Sequence, residues 1–148
     1  MKPIRSCEIH VDGTSRGNPG PSGIGAVLRP SDGNAEPARH LSKYIGETTN
    51  NVAEYLALVY ALQEALRRGY TDVTVKTDSE LMARQLNGEY RVRNGQLKLF
   101  HDLAADLIRG FRACRIHHIP RTQNALADRL AGQAVKRGWS QIPTTIAD

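Results

Sequence analysis

Four acidic residues stand where they could hold a metal ion. Asp12 and Asp78 each follow a stretch of alternating apolar residues, and Glu54 and Asp128 lie beside the apolar stripes of two amphipathic segments. Clustered carboxylates repel one another and lose hydration unless a hard cation, such as Mg²⁺ or Mn²⁺, neutralises them. Two such ions could activate a water and stabilise the leaving oxygen during attack on a phosphodiester. Each acid alone is more simply a turn residue, a helix cap or a solvated charge, so only their joint placement predicts a site.

The elements that must carry these acids follow an α/β order. Three short strands are predicted first, then a helix, a strand, two helices, a strand and a last helix, over residues 7–12, 22–30, 38–46, 50–69, 71–78, 79–88, 94–110, 112–120 and 122–138. Tight loops between the first three strands predict an antiparallel meander, and a helix between two strands predicts a right-handed parallel crossover. We therefore expect an α/β domain with a five-stranded mixed sheet, three antiparallel strands then two parallel ones, flanked by helices.

The ends of these elements decide where the acids lie. Asp12 is predicted to be the last residue of the first strand and Asp78 to end the fourth, which puts both at the carboxyl edge of the sheet, where α/β folds bind ligands. The first helix is predicted to open with an N-cap at Asn50, and the second with one at Ser79. Helical spacing in the third helix groups Leu97, Phe100, Leu103, Ala104 and Leu107. The last helix is expected to face the core with Leu126, Leu130 and Val135.

Composition bounds the kind of protein. A chain of 148 residues with 40% hydrophobic residues predicts a single globular domain, which we assign to residues 1–138, with 139–148 as a flexible tail. Cys7 and Cys114 suggest neither a disulfide framework nor a metal cluster, which indicates a reducing compartment. The start of the chain has no secretory apolar region, and no apolar run is long enough to span a bilayer. We expect a cytoplasmic protein, monomeric and without membrane association.

The net charge of +5 favours a polyanionic partner. The basic residues cluster in two stretches, Arg84, Arg91, Arg93 and Lys98 in one, and Arg109, Arg112, Arg115, Arg121 and Arg129 in the other. Aromatic residues make up only 5% of the chain, too few for a platform on which single-stranded bases stack. The sequence therefore favours a protein that grips a duplex by its phosphate backbone.

Several segments taken together resemble type 1 ribonuclease H. "DGTSRGNPG" is similar to the family's first-strand signature, "TTNNVAEYLAL" to its first-helix motif, "KTDSE" to the segment of its third acid, and "HIPRTQNALADRLA" to its last loop and helix. The order and separation of these segments match the family up to Gly138. The resemblance implies the ribonuclease H fold and an endoribonuclease that hydrolyses the RNA strand of RNA/DNA hybrids, leaving 5′-phosphate and 3′-hydroxyl ends.

The resemblance also implies a catalytic set. It makes Asp12, Glu54, Asp78 and Asp128 both the catalytic residues and the ligands of two Mg²⁺ or Mn²⁺ ions. In the arrangement that the resemblance implies, Asp12 bridges the two ions. Glu54 and Asp78 complete the site of the ion at the leaving oxygen, and Asp128 helps to bind the ion that activates water.

Substrate contacts are carried over from the family in the same way. The matching positions are Ser15, Gly17, Asn18, Thr49, Asn50 and Asn51. The three asparagines match positions that contact the minor groove, where 2′-hydroxyls identify the RNA strand. Thr49 matches a position that holds a phosphate of the DNA strand. Without the resemblance, "TTNN" could equally be an ordinary helix cap.

Two features depart from the family's pattern. Its best-known members carry a basic, tryptophan-rich helical protrusion where this chain has only "NGEYRVRNGQLK", so grip on the hybrid must come from elsewhere, with Arg91, Arg93 and Asn94 as candidates. We expect weaker binding or a preference for Mn²⁺ as a result. Many members also place a mobile histidine before the fourth acid. His118 matches it by spacing and Arg121 could replace it, and the sequence favours neither.

Two other functions fit parts of this pattern. One is a nuclease of the same architecture that also acts on double-stranded RNA or on DNA. The other is a non-catalytic module that binds hybrids, which we would expect to lack one of the four acids. None of the four is missing.

Overall fold

The computed structural model of this chain describes residues 3–33 and 36–141, with side chains through residue 138. The elements are β1 (Ser6–Ser15), β2 (Gly20–Pro30), β3 (Arg39–Thr48), α1 (Asn50–Arg67), β4 (Asp72–Thr77), α2 (Glu80–Leu86), α3 (Gly95–Ile108), β5 (Ala113–His118) and α4 (Ala125–Gln141). A 3-10 turn, Arg121–Gln123, separates β5 from α4. The order of strands and helices is the one predicted from the sequence.

One sheet contains these five strands in the order β3-β2-β1-β4-β5. β2 pairs antiparallel with β1 and β3, whereas β4 pairs parallel with β1 and β5. The predicted mixed sheet, with three antiparallel strands and then two parallel ones, is therefore confirmed. The central strand β1 runs past the end of β4, because the last parallel pair joins Val11 to Thr77. From Asp12 onward, β1 therefore extends beyond its parallel pairing with β4.

Helices cover both faces of the sheet. α1 packs on β1 and β2, with α3 and α2 beside it, and α4 packs on β2, β3 and β1. Along β2, Ile24 and Ala26 point into the core that α1 covers, whereas Gly23 and Gly25 meet α4. A Cβ at Gly25 would lie 2.2 Å from the carbonyl oxygen of Ala127. Because Gly23 and Gly25 have no side chain, α4 lies directly against the sheet.

Among the boundaries that differ from the prediction, two lie beside the acids. Asp12 does not end β1, because residues 13–15 continue to pair with β2, and that pairing satisfies a backbone made of turn-forming residues. The N-cap of α1 is Thr49 rather than Asn50, because the Thr49 hydroxyl accepts the backbone N–H of Val52. Ser79 caps α2 as predicted, by accepting the backbone N–H of Met82.

The core-facing residues of the last two helices differ in part from the prediction. Leu103 is 42% exposed, because α3 is buried mainly through Leu97 and Ala104. In α4, Val135 is buried as predicted, but Leu126 and Leu130 are only half-buried. The other buried residues of α4, up to residue 138, are small: Ala127, Ala131, Ala134 and Gly138. Small residues are favoured there because α4 lies so close to β2.

The connection between α2 and α3 consists of residues 87–94 alone, so the basic protrusion is absent, as predicted. At the other end of the chain, α4 runs to Gln141, and residues 142–148 of the predicted tail lie outside the described residues. Within the described part of the chain, no helix has the length and apolar character needed to cross a bilayer.

Candidate active site

Four elements bring the four acids to one edge of the sheet. Asp12 lies one residue beyond the last parallel pair of β1, and Asp78 lies one residue beyond the end of β4. Because these strands are parallel neighbours, both carboxylates belong to the same edge. α1 contributes Glu54 from its first turns, and α4 contributes Asp128 from its first turn.

Three of the acids form a tight cluster. Asp12, Glu54 and Asp78 each offer a carboxylate oxygen within 4.8 Å of the other two. Asp128 is outside this group of three, but it is close enough to contribute to the raised pKa of Asp12, and all four acids line one pocket. Such a set of carboxylate oxygens is the kind of site that Mg²⁺ and Mn²⁺ prefer.

Burial makes this cluster costly to ionise. Asp12 is only 5% exposed and Glu54 only 7%. Burial raises the pKa of Asp12 well above its ordinary value, and the charges of Glu54 and Asp78 raise it further. Burial also raises the pKa of Glu54, although the hydrogen bond from the backbone of Gly13 opposes that shift. Without a cation, the cluster therefore retains protons at pH values where isolated carboxylates would be ionised.

Gly13 contributes to the site through its backbone. Its backbone N–H donates to Glu54 Oε1 at 2.8 Å. A Cβ at this position would lie 2.2 Å from the backbone carbonyl carbon of Ala53, so only glycine lets β1 approach α1 this closely. Thr14 also lines the pocket, and no sequence signal other than its place after Asp12 and Gly13 marked it.

Arg121 and His118 have different surroundings. His118 is the exposed last residue of β5 and lines a separate pocket that includes Arg84 and Asn87. Arg121 lies in the 3-10 turn and lines the pocket of the acids, with a guanidinium nitrogen 3.7 Å from the Asp128 carboxylate. The structure thus brings Arg121, and not His118, to the acids.

The residues assigned to substrate binding gather beside this pocket. Asn50 lines it, and the Asn50 backbone N–H donates to Asn18 Oδ1 at 2.9 Å. The Ser15 hydroxyl donates to the carbonyl oxygens of Gly17 and Thr48. The loop after β1 is therefore tied both to β3 and to the start of α1. Thr49 caps α1, and Asn51 is exposed in its first turn.

Comparison with known proteins points to one family. A family model described as reverse transcriptase-like matches residues 10–134. The chain is 39% identical over 137 residues to a ribonuclease HI of Halobacterium salinarum, a match that covers 91% of this chain and 68% of that protein. It is 40% identical over 127 residues to a bifunctional protein of Mycobacterium tuberculosis, covering 86% of this chain. The chain spans only about a third, 35%, of that mycobacterial protein.

Two solved structures have the same fold. The crystal structure of RNase H1 from Halobacterium salinarum superposes with a TM-score of 0.83 at 38% identity, covering 89% of this chain and 98% of that one. LC11-RNase H1, solved in complex with an RNA/DNA hybrid, superposes with a TM-score of 0.81 at 40% identity, covering 90% and 99% of the two chains. Together with the acid cluster at the sheet edge, these matches establish that the chain belongs to the ribonuclease H family.

Proposed function

We propose that this chain is an endoribonuclease that hydrolyses the RNA strand of RNA/DNA hybrids. The observation that carries the proposal is the convergence of Asp12, Glu54 and Asp78 within 4.8 Å, with Asp128 lining the same pocket. The similarity to LC11-RNase H1, whose solved complex holds an RNA/DNA hybrid, supports the same class of substrate.

The proposal includes two divalent ions, Mg²⁺ or Mn²⁺, at the acid cluster. Its donors are carboxylate oxygens, and burial raises the pKa of two of them, so the folded protein favours a cation at this point. Asp12, Glu54, Asp78 and Asp128 would hold the ions. When bound, such ions lower the pKa of water and stabilise the leaving oxygen of a phosphodiester. Water would attack the phosphorus as the P–O3′ bond breaks, and the leaving 3′-oxygen would take a proton, which leaves a 3′-hydroxyl on one fragment and a 5′-phosphate on the other.

The neighbouring residues suit an RNA strand. Arg121 lines the pocket with an exposed guanidinium, which can donate hydrogen bonds to a phosphate oxygen. Asn50 lines the same pocket, and its side-chain amide can both donate to and accept from a 2′-hydroxyl. Because Asn18 holds the Asn50 backbone, the loop after β1 and the start of α1 form one surface for the minor groove.

The test is cleavage of end-labelled RNA/DNA, RNA/RNA and DNA/DNA duplexes in Mg²⁺ or Mn²⁺. We expect the RNA strand of the hybrid to shorten and its new ends to carry 5′-phosphate. Asp12→Asn should lower kcat by at least about 100-fold, because it removes a negatively charged ligand of the cations that would stabilise the transition state. Hybrid binding by this variant should be largely retained.

A matched variant, Asp106→Asn, removes an exposed acid of α3 that does not line the pocket, and it should cleave like the wild type. Robust turnover by Asp12→Asn would contradict the assignment of the site. Comparable cleavage of RNA/RNA would favour the broader nuclease. Hybrid binding without cleavage in either metal would favour the non-catalytic module.

A further inference from the structure

Asn124 is a buried polar residue to which the proposed reaction assigns no role. It is 1% exposed and lies between the 3-10 turn and α4, four residues before Asp128. It does not line the pocket of the acids, so it is not in a position to touch substrate there.

Two hydrogen bonds connect Asn124 to the backbone next to Asp12 and at Asp128. Its side-chain Nδ2 donates to the carbonyl oxygen of Val11 at 2.9 Å, and the peptide that contains this carbonyl continues directly into Asp12. Its own carbonyl oxygen accepts the backbone N–H of Asp128 at 3.0 Å. One residue therefore ties the strand at Asp12 to the helical turn that carries Asp128.

The side chain of Asn124 does not make the hydrogen bond that an asparagine at the start of a helix usually makes. Because Asn124 directly precedes α4 and its carbonyl accepts the first helical N–H, it occupies the N-cap position, where an asparagine oxygen normally accepts a backbone N–H of the first turn. Instead, Oδ1 is buried, and among the described residues nothing bonds to it. The amide is oriented by its bond to β1 rather than by the helix, at the expense of an unsatisfied acceptor.

We infer that Asn124 is a positioning residue, which holds Asp128 against Asp12 at the separation that metal binding requires. The inference rests on the proposed function, since it assigns Asn124 a role toward the same acid cluster. The placement of both acids agrees with this role, because Asp12 and Asp128 line the same pocket. Loss of the Asn124 bond would let α4 shift along β1 while the pocket kept all its side chains.

The test uses Asn124→Ser and Asn124→Ala. Serine is a good N-cap, so the serine variant supports α4 but is too short to reach the Val11 carbonyl. The matched control is Asn87→Ala. Asn87 Nδ2 also donates to a strand carbonyl, that of Ile116 at 3.2 Å, but in the separate pocket between α2 and β5. Both substitutions remove an amide-to-strand hydrogen bond, and only one of these bonds is beside the acids.

The first readout is binding of Mn²⁺ or Mg²⁺ without substrate, followed by calorimetry or by the rise in Tm. We expect both Asn124 variants to need about tenfold more metal for half-saturation, as for other residues that orient metal ligands from outside. The second readout is hybrid cleavage, where kcat should fall about tenfold and KM should change less than about twofold. Asn87→Ala should lower Tm without changing either readout.

The inference is overturned if Asn124→Ser stays folded and its metal half-saturation and kcat match those of the wild type. It is also overturned if Asn87→Ala changes both quantities as much as Asn124→Ser, because the bond would then act only through general stability. A wild type that binds metal but cleaves no hybrid would contradict the proposed function instead, and the metal titration would still decide the role of Asn124.

Discussion

Two residues three positions apart, His118 and Arg121, show how the surroundings of a side chain decide its role. His118 ends β5 and is exposed in the pocket beside α2, whereas Arg121 is in the turn that leads into α4 and faces the acids. A guanidinium there is 3.7 Å from the Asp128 carboxylate and lines the pocket where we propose that the scissile phosphate binds. We therefore expect Arg121, rather than His118, to assist the reaction.

Substitution of Arg121 by alanine should lower kcat by about 10- to 100-fold, the loss that follows from one hydrogen bond to a charged group worth about 1.5–3 kcal/mol. His118→Ala should stay near the wild-type kcat. Single-turnover rates over a range of pH measure both effects. Arg129→Ala, which removes an exposed arginine of α4 outside the pocket, controls for the loss of charge. A large defect in His118→Ala with a normal Arg121→Ala would reverse this assignment.

At the scale of elements, α1 is fixed at both ends by polar contacts. Its start holds Glu54 in the acid cluster, and near its end Glu64 lies buried among arginines. The Glu64 carboxylate accepts from Arg68 Nε at 2.7 Å and is 3.3 Å from Arg39 of β3 and from Arg67. The hydrogen bond from Arg68, followed by the charges of Arg39, Arg68 and Arg67, lowers the pKa of Glu64 below its ordinary value of 4.5.

The lowered pKa predicts a stability that depends on pH. Because the folded state favours ionised Glu64, its contribution is complete above pH 4.5 and is lost as the pH falls through the folded pKa. At pH 7, Glu64→Gln should lower the free energy of unfolding by about 1 kcal/mol, since the arginines are partly exposed and solvent weakens the pairs. Urea unfolding at pH 7 and pH 3 measures the difference, which should shrink at pH 3. Glu47→Gln, at an exposed acid of β3, should show no such change.

The contact between β2 and α4 depends on the absence of a side chain at Gly25. Gly25→Ala would bring a Cβ to 2.2 Å from the Ala127 carbonyl oxygen and 2.6 Å from the Ala131 nitrogen, and backbone atoms in a helix cannot move aside singly. We expect a loss of about 2–3 kcal/mol in the free energy of unfolding, together with a loss of cleavage because α4 carries Asp128. Gly132→Ala in α4 meets nothing within 4 Å and should stabilise the helix by up to about 1 kcal/mol. Chemical denaturation compares them, and an unaffected Gly25→Ala would show that α4 can move away without cost.

At the scale of the whole molecule, grip on a duplex must come from a surface without a protrusion. Residues 87–94 connect α2 to α3 directly, and Arg91 and Arg93 lie in that segment. Asn94, the third candidate in this segment, accepts the backbone N–H groups of Gln96 and Leu97 as the N-cap of α3. The two arginines therefore remain the candidates of this segment for phosphate contacts.

Replacement of Arg91 and Arg93 by alanine should weaken hybrid binding and reduce the slope of log K against log salt by about 2, since each phosphate contact contributes about 0.9. Binding isotherms from low to physiological salt measure the slope. Replacing the exposed strand residues Arg29 and Lys43, which lie outside both basic clusters, removes the same charge elsewhere and should leave the slope nearly unchanged. An unchanged slope in the Arg91 and Arg93 variant would exclude these residues from the interface.

The sequence by itself determined the elements and the residue types of the site. Alternation and helical spacing are local properties, so the nine strands and helices, the Ser79 cap and the four acids could be read from the chain. Predictions of single boundaries were less successful, because pairing with β2 extended β1 beyond Asp12, and because a hydroxyl one residue earlier capped α1.

Only the tertiary structure decided the distances. The 4.8 Å cluster depends on the parallel register of β1 and β4 and on how closely α1 can approach Gly13, and neither is encoded in a local pattern. The tertiary structure also decided that Arg121, rather than His118, lies beside the acids. It likewise brought together Asn124 and Val11, which are hydrogen-bonded although they are 113 positions apart. Spacing along the chain limits which side chains can meet, but packing selects among them, since burial and backbone hydrogen bonds act between segments that the sequence keeps far apart.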